Sequence, residues 1–246
     1  MAFLKGSSTV SASSRTLAVI PARGGSKGIP QKNLVLLDGK PLLAYTCAQA
    51  RNAKTVTRVI LSTDDDAIAA CAKRFRVEMP FRRPQELAAD DTPMLAVLRH
   101  ALETLRRQER YQPDIVVLLQ PTSPLRRADD IDGAVQLLSA RRADSVVSVV
   151  EVPHQFNPVS LLRMQEDHLV PFFNGQSVAR RQDKPAVYAR NGPAVLAVSG
   201  QVLETQNSLY GNVCLPFIMP PERSVDIDSA FDLGLAEYLL RGEHVG

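Results

Sequence analysis

Residues 17–33 read LAVIPARGGSKGIPQKN, an apolar run that breaks into a loop. The run at residues 17–20 is long enough for a buried strand. Glycines in the loop let backbone N–H groups approach a ligand, and successive N–H groups form an anion-binding concavity. Three cations beside it suit a polyphosphate, so the stretch predicts a nucleoside triphosphate site at the end of the first strand. The glycines and cations are Gly24, Gly25, Gly28, Arg23, Lys27 and Lys32.

The loop matches neither of two better-known phosphate-binding motifs. The chain has no GxxxxGK[ST] string, and residues 24–28 read GGSKG, which lacks the spacing of GxGxxG. This argues against ATPases and dehydrogenases. It leaves nucleotidyltransferases that bind a triphosphate with a basic loop, beside the plainer alternative of a glycine-rich surface turn.

Composition excludes several classes of protein. The 246 residues fit one large α/β domain, with or without an insertion. The net charge of +3 comes without a run of basic residues, which argues against a nucleic-acid partner. The three cysteines are far apart, so we expect reduced thiols and neither a zinc site nor a disulfide framework.

The beginning of the chain predicts a tail. Residues 1–16 are rich in Ser, Thr and Ala and lack the apolar stretch of roughly 7–15 residues that a secretory signal needs. No later apolar run approaches the ~20 residues of a membrane span. We therefore expect a flexible tail at 1–16, a catalytic domain at 17–246, a cytoplasmic location and no membrane partner.

Strand-like and helix-like segments alternate after the tail. This pattern is typical of an α/β fold with a mainly parallel sheet and helices on both faces. Asp64 or Asp65 should cap the second helix, and Thr92 should cap the third, with Pro93 at its first position. Asp129 or Asp130 should start the fourth helix. Strands are expected at residues 17–20, 58–62, 114–119, 145–152, 194–198 and 213–217, and the first, third and last helices at about 41–52, 93–107 and 229–241.

The alternation breaks between about residues 153 and 186. This stretch holds four prolines, several polar residues and the pair Phe172-Phe173. It predicts an arm or small subdomain that projects from the sheet.

Polar clusters follow several of the expected strands. They lie at residues 23–33, 62–64 and 120–126, and at Asp226 and Asp228. Ligands of doubly wound sheets bind outside the carboxyl ends of the strands. The clusters therefore predict one site at this edge.

These clusters resemble the acylneuraminate cytidylyltransferase family, the CMP-sialic acid synthetases and their relatives. The resemblance implies a Rossmann-like fold of the nucleotide-diphospho-sugar transferase type and a homodimer with shared active sites. It also implies transfer of CMP from CTP, the co-substrate, to a nine-carbon 2-keto sugar acid, with Mg²⁺. The matching segments are IPARGGSKGIPQKN (20–33), STD (62–64), RPQELAADDT (83–92), LLQPTSPLR (118–126), RRQD (180–183), NG (191–192) and SVDID (224–228).

The resemblance assigns the nucleotide side of the site. Arg23 and Lys27 are expected at the triphosphate, and Lys32 is expected either to contact a phosphate or to help pyrophosphate leave. Arg83 could instead be a surface arginine, and Thr92 is already explained as a helix cap. The nucleotide-binding positions are Ala22, Arg23, Gly24, Ser26, Lys27, Asn33, Arg83 and Thr92.

Asp226 and Asp228 are the predicted metal ligands, and with Arg23, Lys27 and Lys32 they form the predicted catalytic set. Alternate residues of an extended segment point the same way. Hard cations take oxygen ligands, so two such carboxylates suit Mg²⁺. Asp228 could alternatively cap the last helix.

The resemblance also assigns the sugar side. Gln120 stands at a strand end, where its amide can hydrogen-bond the sugar, whereas Arg126 could either face an anionic group or hold its own loop. The guanidinium of Arg180 suits a sugar carboxylate. Phe172 and Phe173 are expected to pack at the dimer interface. The sugar-binding positions are Gln120, Arg126, Arg180, Gln182, Tyr188 and Asn191.

Three other functions stay open. Residues 193–198 read PAVLAV, a departure from many relatives beside the sugar pocket. The acceptor could therefore be legionaminic or pseudaminic acid, or the eight-carbon acid Kdo. A catalytically inactive CTP-binding regulator on the same fold is the alternative from a different class.

Overall fold

The sheet begins with the strand that the opening stretch predicts. The computed structural model describes residues 14–26, 28–173 and 180–242. Its strand β1 (Thr16–Pro21) is buried along its whole length. The short strands β2 (Leu36–Leu37) and β3 (Lys40–Pro41) form a hairpin that the sequence pattern did not predict. The next expected strands follow as β4 (Arg58–Ser62), β5 (Ile115–Leu118) and β6 (Ser145–Glu151).

The main sheet has seven strands in a mostly parallel arrangement. Its order is β11-β6-β10-β5-β1-β4, with β9 paired to β6. Pairs β1–β4, β1–β5 and β6–β11 are parallel, which confirms the predicted sheet type. Strand β10 runs antiparallel to both β5 and β6, a reversal that the pattern did not predict. The remaining bounds are β9 (Tyr188–Arg190), β10 (Leu196–Ser199) and β11 (Cys214–Ile218).

Helices cover both faces, as predicted. The bounds are α1 (Leu42–Asn52), α2 (Asp66–Arg74), α3 (Met94–Glu109), α4 (Ala128–Arg141), α5 (Gly200–Thr205) and α6 (Ala230–Leu240). On one face α1, α2 and α4 bury Leu43, Ile68 and Val135 against the sheet. On the other face α3 and α5 bury Leu98 and Val202.

The helix starts test the predicted caps. Asp65 caps α2 as expected, because its carboxylate accepts the Ile68 N–H at 2.9 Å. The Thr92 cap is wrong: α3 begins at Met94 with Pro93 as its N-cap, so Thr92 lies one residue too early. Helix α4 begins at Ala128, and Asp130 accepts the Arg127 N–H at 2.8 Å.

The last helix uses its own cap. The Ser229 hydroxyl accepts the Asp232 N–H, and the Asp232 carboxylate accepts the Ser229 N–H at 2.8 Å. The alternative that Asp228 caps α6 is therefore wrong. The Asp228 side chain is left available to the cleft described below.

The predicted arm contains a small hairpin of β7 (Leu162–Gln165) and β8 (His168–Pro171). Large apolar side chains on and beside it are exposed, including Met164, Leu169 and Phe173. None of the helices in the described ranges is both long and apolar enough to cross a bilayer.

Candidate active site

A cleft of about 450 Å³ lies where β1, β4 and β5 end. It opens at the carboxyl edge of the sheet, where the sequence placed the ligand. Pro21, Gly28, Met94, Pro121 and Thr122 form part of its wall. The predicted site residues that line it are Arg23, Ser26, Lys32, Asn33, Arg83, Gln120 and Asp228.

Two contacts fix the backbone of the basic loop. The amide of the buried Asn33 donates to the Arg23 carbonyl at 2.9 Å, and the Ala22 N–H donates to the Ser62 carbonyl at 3.0 Å. Ala22 is itself buried behind the cleft. Lys27, the remaining predicted cation of the loop, lies outside the described residues.

Lys32 joins the loop to the SVDID segment. Its Nζ donates to the Ile227 carbonyl at 2.9 Å and to Asp228 Oδ1 at 2.8 Å. Gly28 packs on the same segment, because a Cβ atom there would lie 2.5 Å from the Asp228 carbonyl oxygen. The phosphate loop and the predicted metal ligands therefore form one unit.

Asp226 differs from Asp228 in its surroundings. Ile227 between them is fully buried, Asp228 is exposed on the cleft and Asp226 is half-buried. Asp226 Oδ1 has no hydrogen-bond partner among the described residues. Burial raises the pKa of Asp226, the nearby Asp228 charge adds to this, and a hydrogen bond with Thr122 opposes it. An orphaned carboxylate oxygen suits a cation, but Asp226 is not among the residues that line the cleft, and its Oδ1 is buried beside Gly192.

Arg83 is a buried cation rather than a surface arginine. It is 4% exposed, and its Nε donates to Ser62 Oγ at 3.0 Å while a second nitrogen donates to the Ser62 carbonyl. Burial lowers the pKa of Arg83 to about 10, with the Asp64 carboxylate acting in the opposite direction. Arg83 therefore stays charged at neutral pH and offers a fixed positive group to the cleft.

Gln120 lines the cleft as predicted, whereas Arg126 lies behind it. The Gln120 Nε2 donates to the Gly192 carbonyl at 3.0 Å. Arg126 is 1% exposed and donates to the carbonyls of Gln120 and Ala194 and to Thr46 Oγ1, at 3.2, 2.6 and 2.6 Å. These contacts favour the loop-holding interpretation of Arg126 over an anion contact, because both terminal guanidinium nitrogens already donate to protein oxygens.

Other predicted residues lie away from the cleft lining. Asn191 is buried, and its side chain bonds to two serines of the protein. Its Oδ1 accepts from Ser148 Oγ at 2.6 Å, and its Nδ2 donates to Ser224 Oγ at 3.0 Å. Tyr188 is 44% exposed on β9. Arg180 and Gln182 are exposed on the arm, the Arg181 side chain is outside the described part, and the Thr92 hydroxyl donates to the Glu86 carbonyl at 3.5 Å.

Two acidic residues that the sequence analysis did not assign as binding residues, Asp64 and Asp90, contact the loop. The Gly24 N–H donates to Asp64 Oδ1 at 3.1 Å. The Arg23 guanidinium forms an ion pair with Asp90 and donates to the Ala88 carbonyl at 3.4 Å. The sequence contained a signal for both residues, because Asp64 lies in the family-matching segment STD and Asp90 lies in RPQELAADDT.

Two solved structures share this α/β fold. A structure of CMP:2-keto-3-deoxy-manno-octonic acid synthetase complexed with CTP superposes with a TM-score of 0.67 at 18% identity, covering 94% of this chain and all of that one. The 4-diphosphocytidyl-2C-methyl-D-erythritol synthase of Anaerococcus prevotii gives 0.61 at 13% identity, covering 93% and 99%. At these identities the likeness establishes the fold alone.

The chain belongs to the cytidylyltransferase family. The family model described as Cytidylyltransferase matches residues 17–211. An N-acylneuraminate cytidylyltransferase of Escherichia coli is 33% identical over 90% of this chain, which spans only 51% of that protein. A CMP-N,N'-diacetyllegionaminic acid synthase of Legionella pneumophila is 32% identical over 92% of this chain and 96% of its own length. A pseudaminic acid cytidylyltransferase of Campylobacter jejuni is 29% identical over 94% and 98%.

Proposed function

We propose that this cytidylyltransferase moves CMP from CTP to a nine-carbon 2-keto sugar acid of the sialic type and releases pyrophosphate. Relatives named for three such acids support the choice of acceptor. The observation that carries the proposal is the contact of Lys32 Nζ with Asp228, which joins the basic loop to the acidic segment inside one cleft.

The cations of the cleft suit a triphosphate. CTP carries about four negative charges near neutral pH, so attack on its α-phosphate is electrostatically opposed. Arg23, Lys32 and Arg83 all line the cleft and offset this charge from fixed positions. Positioning and charge stabilisation supply most of the catalysis in phosphoryl transfer.

Asp226 and Asp228 would hold Mg²⁺. The unpartnered Oδ1 of Asp226 and the exposed carboxylate of Asp228 fit a hard cation. Within the described ranges no cluster of three or more His, Cys, Asp or Glu could hold a metal, so the remaining ligands would be phosphate oxygens and water. When bound, the ion would neutralise phosphate charge and lower the pKa of a coordinated hydroxyl.

The residues of the cleft then divide the reaction between them. The sugar 2-hydroxyl gives up its proton to water and attacks the α-phosphorus. The bond between the α-phosphorus and the oxygen that bridges it to the β-phosphate breaks, and pyrophosphate leaves with that oxygen. Gln120 orients the sugar by its amide, which the Gly192 carbonyl holds in place. Lys32, bonded to the acidic segment, stands by the departing pyrophosphate.

We infer that the arm serves a homodimer. Phe156, Met164, Leu169 and Phe173 are all more than half exposed, which is unusual for large apolar side chains that stay in water. In a dimer with shared sites, Arg180 and Gln182 of one arm would reach the sugar in the other subunit's cleft.

Pyrophosphate release tests the proposal. Purified protein, CTP and Mg²⁺ are incubated with N-acetylneuraminic, legionaminic or pseudaminic acid, or with Kdo, and a reaction without acceptor serves as the control. We expect release with one nine-carbon acid. Pyrophosphate release with Kdo alone would mean that the acceptor is Kdo and not a nine-carbon acid. CTP binding without pyrophosphate release on any acid would support an inactive regulator.

A further inference from the structure

The donors predicted to bind the triphosphate are already engaged by carboxylates of the protein. The Arg23 guanidinium is paired with Asp90, and the Gly24 amide donates to Asp64 at 3.1 Å. A glycine-loop amide and an arginine beside it are the groups that bind phosphate oxygens. Carboxylate oxygens therefore already accept from two donors of the kind that binds phosphate.

We propose that Asp64 and Asp90 set the affinity of the cleft for phosphorylated ligands by competing with phosphate for Gly24 and Arg23. This inference rests on the proposed function, because it concerns the same cleft. A phosphate group must displace each carboxylate before it gains the donor. The net binding free energy at each donor is then the difference between its hydrogen bond to phosphate and its hydrogen bond to the protein carboxylate.

The two carboxylates are placed to move aside. In the Arg23–Asp90 pair the side chains are 30% and 38% exposed, so a displaced Asp90 carboxylate has access to water. Asp64 is also partly exposed, and its charge acts on Arg83 as well as on the Gly24 amide. A displaced carboxylate is therefore not left buried without a partner. Burial of an unpaired carboxylate would be too costly for displacement to occur.

The competition favours ligands of high charge. A triphosphate offers enough oxygens and negative charge to replace both carboxylates at once. A nucleoside without phosphates replaces neither and binds independently of them. After pyrophosphate departs, the carboxylates can return to their donors and weaken the hold on what remains.

The experiment measures binding to the full chain by calorimetry in EDTA at neutral pH and constant ionic strength. The ligands are CTP, inorganic tripolyphosphate and cytidine. The variants are Asp90→Asn and Asp64→Asn, which remove charge and keep the side-chain shape. Asp91→Asn is the matched control, because this exposed neighbour loses the same charge and Asp91 has no place in the competition.

We expect each variant to bind CTP and tripolyphosphate about three- to fivefold more tightly, the range that an exposed ion pair supports. Cytidine binding should not change, and Asp91→Asn should match the wild type. Unchanged or weaker tripolyphosphate binding in both variants, with unchanged thermal midpoints, would overturn the inference and make the carboxylates positioning groups.

Failure of the proposed function gives a different result. Wild-type protein that binds tripolyphosphate but not CTP would contradict the cytidylyltransferase proposal, while the variants would still test the competition. Wild-type protein that binds neither ligand would overturn both.

Discussion

The nucleotide side of the cleft and the arm are built in opposite ways. On the nucleotide side, Asn33 and Arg83 are buried and bonded to backbone carbonyls, so the groups proposed to contact the triphosphate are fixed. Arg180 and Gln182 on the arm and Tyr188 on β9 are exposed, and none of them lines the cleft. The comparison shows that the chain fixes the charged half of the cleft by its own contacts, whereas the proposed sugar contacts on the arm depend on what covers the arm.

The largest effect should come from Asp226→Asn. The variant should lose at least about 100-fold in pyrophosphate release, because the proposed metal site loses a charged ligand. CTP binding in EDTA and the oligomeric state should be unchanged. Asp167→Asn, in the exposed turn of the arm hairpin, is the control. Near-normal release by the Asp226 variant would remove the metal assignment.

The double variant Arg180→Ala and Gln182→Ala separates the two halves. Its KM for the sugar acid should rise about tenfold, because charge-assisted hydrogen bonds to the sugar carboxylate are lost. Its KM for CTP should stay within about twofold, since both residues lie off the nucleotide side. Steady-state kinetics with Arg163→Ala as the control check this. An equal rise in both KM values would contradict the separation between the nucleotide side of the cleft and the arm.

Asn33→Ala tests the nucleotide half in the same assay. It removes the hydrogen bond to the Arg23 carbonyl, which contributes about 1 kcal/mol. The KM for CTP should therefore rise about fivefold, and the KM for the sugar acid should not move. A change confined to the sugar KM would mean that Asn33 does not support the phosphate loop.

The smallest effect concerns stability and pH. Burial raises the pKa of Asp226 in the folded protein, so ionisation of this group costs folding free energy. The cost is absent below the unfolded-state pKa and complete above the raised folded-state pKa. At neutral pH in EDTA, Asp226→Asn should therefore be more stable than wild type. Thermal unfolding across acid and neutral pH should show the gain vanish at low pH.

Most of the fold could be predicted because its signals are local. The apolar runs of β1 and β5 and the Asp65 cap of α2 each act within a few residues. The direction of β10 is not local, since an apolar run pairs equally well either way until its neighbours are known. The Thr92 cap failed because Pro93 takes the N-cap position itself.

The site was predictable in part for a similar reason. Arg23, Ser26, Lys32, Asn33 and Asp228 meet in the cleft because strand ends of a parallel sheet share one edge. Arg126 is held in the interior by its contact with Ala194, and Asn191 is held there by its contact with Ser148. Each partner is distant in sequence. No spacing reports such burial, so the sequence assigned both residues to the sugar side, with loop-holding as the alternative for Arg126.

The measurement that tests the account most directly is a ³¹P NMR spectrum of the reaction with the acceptor that the pyrophosphate assay selects. Attack at the α-phosphorus predicts a new phosphodiester signal and pyrophosphate in equal amounts, both absent for Asp226→Asn. Formation of CDP with a phosphorylated sugar would place the attack at the γ-phosphorus and would contradict the account.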